Sequence, residues 1–112
     1  MKLYLPIKEN KDFRRIYAKG KTQVSPVLVT YVLKNNRSKN IRIGITTSKK
    51  IGNAVKRNRA RRVIRESFRN LAPSVRYGYD IIFVARGKTP FVKSTDVFRA
   101  MSQQLKNLGV LK

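Results

Sequence analysis

The chain has 112 residues, with 27 Lys and Arg against 5 Asp and Glu, and so a formal net charge of +22. One domain spanning 1–112 is expected at this length. Val, Ile, Leu and Phe supply 33 of the residues, above the roughly 20% floor below which a highly charged chain stays disordered. Cys and His are both absent, which excludes a disulfide framework, a Cys/His zinc site, a thiol nucleophile and an imidazole general base. A foldable core carrying charge of one sign points to a polyanionic partner.

In chain order, the apolar run in residues 1–6 is too short for a secretory segment. Nowhere do 18 apolar residues follow one another, so a cytoplasmic chain with no membrane span is expected. Residues 9–19 place Phe13, Ile16 and Tyr17 at i, i+3 and i+4, with Gly20 as a stop, which predicts a short amphipathic helix. Residues 26–33 are β-branched and aromatic with apolar side chains on both faces, a well-buried strand. A polar hairpin loop follows at 34–40, then a period-two strand at 41–46. The basic connection 48–52 leads to the longest helix, 53–71, which Pro73 cannot continue. Residues 79–85 read as another buried strand. The last helix is expected to start from Thr95 as N-cap, to bury Phe98, Met101, Leu105 and Leu108, and to end at Gly109. With a further short strand near 22–25, the order is α-β-β-(β)-α-β-α. The fold class is α+β, an α/β sandwich with a small, mostly antiparallel sheet against helices. The unit around 53–71 is a candidate for a parallel strand–helix–strand crossover.

The five carboxylates, Glu9, Asp12, Glu66, Asp80 and Asp96, are scattered, and three sit where acids offset a helix dipole. They do not suggest the converging set a two-metal nuclease needs, and no catalytic residue is assigned to the protein. The positive charge is concentrated. Residues 49–69 hold Lys49, Lys50, Lys56, Arg57, Arg59, Arg61, Arg62, Arg65 and Arg69 against Glu66 alone. On a helical wheel Ala60, Val63, Ile64, Phe68 and Leu71 cluster on one side, with Asn58, Arg61, Arg62, Arg65 and Arg69 on the other. Same-sign pairs at i, i+4 destabilise a solvated helix, and guanidinium forks suit phosphate, so this helix reads as a nucleic-acid surface. A membrane surface fits less well, since the apolar side is needed for the core. Among the aromatics, Phe68, Phe83 and Phe98 read as core. Phe13 shares a core-like spacing with Ile16, while Tyr17 stands open between core and a cleft edge where it stacks on unpaired bases.

The segment 47–66, Thr-Ser-Lys-Lys-Ile-Gly-Asn-Ala-Val-Lys-Arg-Asn-Arg-Ala-Arg-Arg-Val-Ile-Arg-Glu, resembles the signature of the bacterial ribonuclease P protein family, whose Arg-Asn-Arg stands here at Arg57-Asn58-Arg59. Residues 11–20 resemble that family's first helix, and the strands through Tyr31, Ile43-Gly44-Ile45 and 79–86 follow its order. The resemblance implies a left-handed β-α-β crossover around the basic helix, against the general right-handed rule. It implies as partners the catalytic RNA of ribonuclease P and precursor tRNA, with Mg²⁺ bound mainly by the RNA, and neither a membrane nor a small-molecule substrate. Carried over by position, Lys49, Lys50, Lys56, Arg57, Asn58, Arg59, Arg61, Arg62 and Arg65 would meet the catalytic RNA. Phe13, Tyr17 and Tyr31 would line a cleft for the 5′ leader, which moves Phe13 from core to cleft wall. Tyr17 stands where many members have Phe, and the Arg-rich opening common in the family is missing. Direct metal ligands on the protein are left open. The alternatives are a structural ribosomal RNA-binding protein and a DNA-binding regulator.

Overall fold

A computed structural model describes residues 3–35 and 39–112. The elements are β1 (Tyr4–Pro6), α1 (Asn10–Lys19), β2 (Lys21–Val24), β3 (Leu28–Lys34), β4 (Ile41–Thr46), α2 (Ala54–Leu71), β5 (Tyr79–Ala85) and α3 (Ser94–Asn107), with single 3₁₀ turns at Lys49–Ile51, Ala72–Ser74 and Thr89–Phe91. One five-stranded sheet runs β1-β4-β5-β3-β2. The ladders β2/β3 and β3/β5 are antiparallel, β1/β4 and β4/β5 parallel. The longest, β3/β5, pairs Leu28 with Ala85 through to Lys34 with Tyr79. The strand–helix–strand unit expected around the basic helix is present as β4-α2-β5, with its two strands adjacent and parallel.

Period-two alternation sorts the strand side chains onto two faces. Leu28 and Val32, Ile41 and Ile43, and Ile81, Phe83 and Ala85 point into the main core with Ile64 and Phe68 of α2 and Val97, Met101 and Leu105 of α3. Tyr4 closes that core edge-on against Phe68, 5.0 Å between centroids, and Phe68 meets Phe83 at 5.5 Å. Ile82 faces the other way, toward Ile16 of α1 and Ile7. The sheet is thus sandwiched between α1 on one face and the α2–α3 pair on the other. Each fully buried aliphatic or aromatic side chain contributes about 1.5–3 kcal/mol relative to an exposed one.

Four expectations change. β3 and β4 do not form a hairpin: β5 lies between them, so the loop after Lys34 is a crossing connection, and its residues 36–38 fall outside the described residues. A short parallel strand, β1, joins the sheet edge where none is expected from sequence. The short strand expected near 22–25 is present, as Lys21–Val24. In the last helix Lys93, not Thr95, is the N-cap, and its backbone N–H donates to Asp96 Oδ2 at 3.3 Å. The buried stripe there is Val97, Met101, Gln104 and Leu105. Phe98 is 36% exposed and is not core. An apolar-only count misplaced the stripe because Gln104 takes a core position. It donates from Nε2 to the Leu28 carbonyl at 2.8 Å and accepts from Thr30 Oγ1 at 2.6 Å.

Candidate nucleic-acid interface

Two surfaces meet at one end of the sheet. The first is an aromatic row. Tyr17 of α1 stands edge-on to Tyr31 of β3, 4.9 Å between centroids, and tilted to Phe13 at 6.3 Å. Phe13 and Tyr31 are half-buried and Tyr17 is exposed. Its hydroxyl shares a 2.9 Å hydrogen bond with Thr46 Oγ1 of β4. The Phe13 ring lies on the backbone of Gly44: a Cβ there would stand 2.7 and 2.8 Å from two ring carbons. Only glycine at that point of β4 lets the ring lie so close to the sheet.

Besides the packing of Ile16 on Ile7 and Ile82, α1 is held by a set of ion pairs that no local motif announced. Asp80 of β5 is fully buried. It accepts from Arg42 Nε at 2.8 Å and Nη2 at 2.6 Å, from Asn35 Nδ2 at 3.0 Å, and from Arg15 Nη2 of α1 at 3.1 Å. Arg15 also meets Asp12 at 3.2 Å, and Arg42 reaches Asp12 at 3.6 Å. Burial alone would push Asp80 up. The Arg42 and Asn35 hydrogen bonds, with the charges of Arg42 and Arg15, outweigh it and hold the carboxyl below its ordinary value. The same hydrogen bond to Asp80 raises Arg42 further.

The second surface is α2. Asn53 caps it, accepting from the Lys56 N–H at 3.0 Å, and its buried stripe of Ala60, Val63, Ile64, Phe68 and Leu71 is the one the wheel indicates, joined by Ser67. The basic residues divide. Arg61, Arg65 and Arg69 line a groove of about 620 Å³ with Leu3, Tyr4, Pro6, Ile7, Phe13, Ile43, Gly44, Ile45 and Ala72. Arg59 and Arg62 do not line that groove; they are exposed. Arg57 turns back to donate to the Gly52 carbonyl at 2.8 Å, and Asn58 Oδ1 accepts from Arg61 Nη1 at 3.1 Å. Lys56 sits over the exposed Phe91 ring at 5.2 Å. Lys49 and Lys50 are exposed on the turn before α2.

A family model described as Ribonuclease P matches residues 1–109. The chain belongs to the ribonuclease P protein family. It is 40% identical over 105 residues to the ribonuclease P protein component of Clostridium botulinum, covering 93% of this chain and 94% of that one. Against the ribonuclease P protein component of Clostridioides difficile the identity is 43% over 104 residues, 91% and 86% of the two chains. The RNase P protein of Staphylococcus aureus shares the fold with a TM-score of 0.85, at 36% identity over 96% of this chain and 97% of that one. In this ribonuclease P protein the three aromatics assigned from sequence are neighbours, whereas the basic set is spread over more than one face of α2. Sequence reasoning missed Gly44, Thr46 and the Arg15–Asp80–Arg42 pairs. An Arg and an Asp at sheet-facing positions of otherwise apolar strands were the available signal.

Proposed function

We propose that this ribonuclease P protein component, acting as one RNA-binding unit over its 112 residues, holds two RNAs at once. Lys49, Lys50, Lys56, Arg57, Asn58, Arg59, Arg61, Arg62 and Arg65 meet the catalytic RNA, and Phe13, Tyr17 and Tyr31 receive the 5′ leader of precursor tRNA. The observation that carries this reading is that Phe13 belongs both to the aromatic row and to the groove walled by α2 arginines. A stacking surface for unpaired bases thereby joins a phosphate-binding surface.

The protein's part is binding and positioning. Among the described residues, no three of its His, Cys, Asp or Glu side chains come together as a metal-binding group. Asp12 and Asp80 are committed to arginines, Glu9 to Lys11 at 3.3 Å and Asp96 to the Lys93 backbone. These carboxylates do not fit a Mg²⁺ cage. The metal falls to the RNA partner, as does the endonucleolytic removal of the leader. Cytoplasmic residence follows from the partners.

Adding this protein to the catalytic RNA should restore precursor-tRNA cleavage at Mg²⁺ concentrations where the RNA alone is slow. The protein alone should cleave nothing after rigorous nuclease controls. Cleavage by the protein alone would refute the division of labour, and failure to rescue would refute the function.

A further inference from the structure

We propose that the groove at the open end of β4 is a separate nucleotide site, and that it takes one single-stranded nucleotide of the precursor's 5′ leader beyond those stacked on the aromatic row. The proposal rests on the leader reading above and goes past it, because that reading gives the groove no occupant of its own and Arg69 no role.

β1 covers the edge of β4 only from Ile41 to Ile43. The last rung is the Ile7 N–H donating to the Ile43 carbonyl at 2.8 Å, after which the chain leaves the edge for α1. Backbone polarity alternates along a strand. Ile45, in phase with Ile43, therefore turns its N–H and C=O to the same side, where no strand among the described residues pairs with it, and it lines the groove. One donor and one acceptor of the main chain are presented there. Tyr4 and Pro6 line the groove on the α2 side of that edge and Phe13 on the α1 side, apolar surface against which a base can rest. On the far wall stand Arg61, Arg65 and Arg69, one helical turn apart.

This combination suits a nucleotide better than its rivals. Its volume of about 620 Å³ lies within the roughly 300–1,000 Å³ of small-ligand sites. No carboxylate is among the described residues that line it; with Arg61 and Arg65 given to the catalytic RNA, Arg69 is the guanidinium of the groove left for a leader phosphate, which supplies its counter-charge. A protein strand adding to the β4 edge would gain few rungs, since Thr46 ends the strand. Continuity decides the source. Phe13 is shared, and the row Tyr31, Tyr17, Phe13 steps by 4.9 and 6.3 Å between centroids. A leader stacked along that row is delivered to the groove mouth.

The test uses holoenzyme assembled from the full chain and its catalytic RNA. Precursor tRNAs carry a neutral methylphosphonate at one leader position at a time, with wild-type protein or Arg69→Gln. Arg69 is exposed, so the variant should fold. One leader position should lose roughly three- to tenfold in affinity with wild-type protein and lose nothing further with Arg69→Gln. The salt slope for precursor should fall by about 0.7, as for one phosphate contact on a single strand. Affinities for mature tRNA and for the catalytic RNA should stay unchanged. Equal losses for precursor and mature tRNA, or weakened assembly with the catalytic RNA, would overturn the proposal by giving the groove another occupant. Absence of any coupled position would overturn it as well. If Tyr17→Ala loses leader-specific affinity while Arg69→Gln loses none, the groove proposal falls and the aromatic cleft stands. If neither variant distinguishes precursor from mature tRNA, the leader reading falls with it.

Discussion

Asp80→Asn removes the charge to which α1 is pinned. Asp80 is fully buried and holds two arginines from two elements, Arg42 of β4 and Arg15 of α1. Asn has nearly the same shape but turns an NH₂ group toward donors. Breaking a buried ion pair from one side costs about 3–5 kcal/mol. The arginine side chains keep 23% and 32% of their surface in water, so part of their solvation is recovered and the lower end, about 3 kcal/mol, is expected. For a chain of this size that corresponds to a Tm lower by roughly 12 °C. Urea and thermal unfolding of wild type, Asp80→Asn, Arg42→Gln and the double variant measure it. The double variant should cost at least about 1 kcal/mol less than the two singles combined. Because α1 carries Phe13 and Tyr17, Asp80→Asn should also weaken precursor binding more than mature tRNA binding at temperatures where it is folded. A destabilisation under about 0.5 kcal/mol, or strict additivity, would refute the pinning argument. Acid gives an independent check. A carboxyl held below its ordinary value stabilises the fold fully above about pH 4, the unfolded range, and that stabilisation is lost as pH falls from there through the folded value. Asp80→Asn should lack this component of acid sensitivity.

Gly44→Ala puts a methyl group 2.7 Å from the Phe13 ring, so the ring must lift from the sheet. KM for precursor should rise several-fold with little change for mature tRNA. Changing Arg59, Arg62 and Arg65 together to Ala should flatten the salt dependence of RNA binding by about 0.7–0.9 for each phosphate that is no longer neutralised; an unchanged slope would remove this helix from the interface. Gln104→Ala leaves the Thr30 hydroxyl without its partner in the core, while the Leu28 carbonyl keeps the Ser25 N–H at 2.9 Å. At about 1–3 kcal/mol for one unpaired buried group, a loss of about 2 kcal/mol in urea unfolding is expected, with cleavage per folded molecule unaffected.

Local sequence carried the span and the apolar stripe of α2, because both are decided within the helix itself. It carried β4 and β5 to the residue, since their periodicity is strong. It missed β1, three residues ending in Pro6 whose backbone pairs with the edge of β4, thirty-seven positions away in register. It paired β3 with β4 because they are consecutive, and only the parallel return of β5 separates them. Of the site, the arginines and aromatics were legible as residue types at helical spacing, helped by the family signature. Their division was not. Which arginines face the groove depends on where α2 lies against β1 and β4, and that is fixed by Tyr4, Phe68 and Ile43 together. The Arg42–Asp80 pair joins residues 38 apart, and Arg42 counts toward the net charge as though it were free for RNA when it is spent internally.

Arg61 and Arg62 are adjacent in sequence, yet about 100° of helix rotation gives them different physics. Arg61 is half-buried at the groove and Arg62 is exposed. Repulsion along Arg57, Arg61, Arg65 and Arg69 costs the free helix about 0.2–0.5 kcal/mol per i, i+4 pair, offset by the stripe packed on Phe83 and Met101. Phosphate turns that cost into attraction, and next to an apolar floor the attraction is screened less than on the open surface. Loss of Arg62 should therefore matter at low salt and fade as salt rises. Loss of Arg61 should persist. If the two single Ala variants show the same salt dependence for binding of the catalytic RNA, then the groove wall and the outer face of α2 are one electrostatic surface, and the distinction drawn from their burial fails.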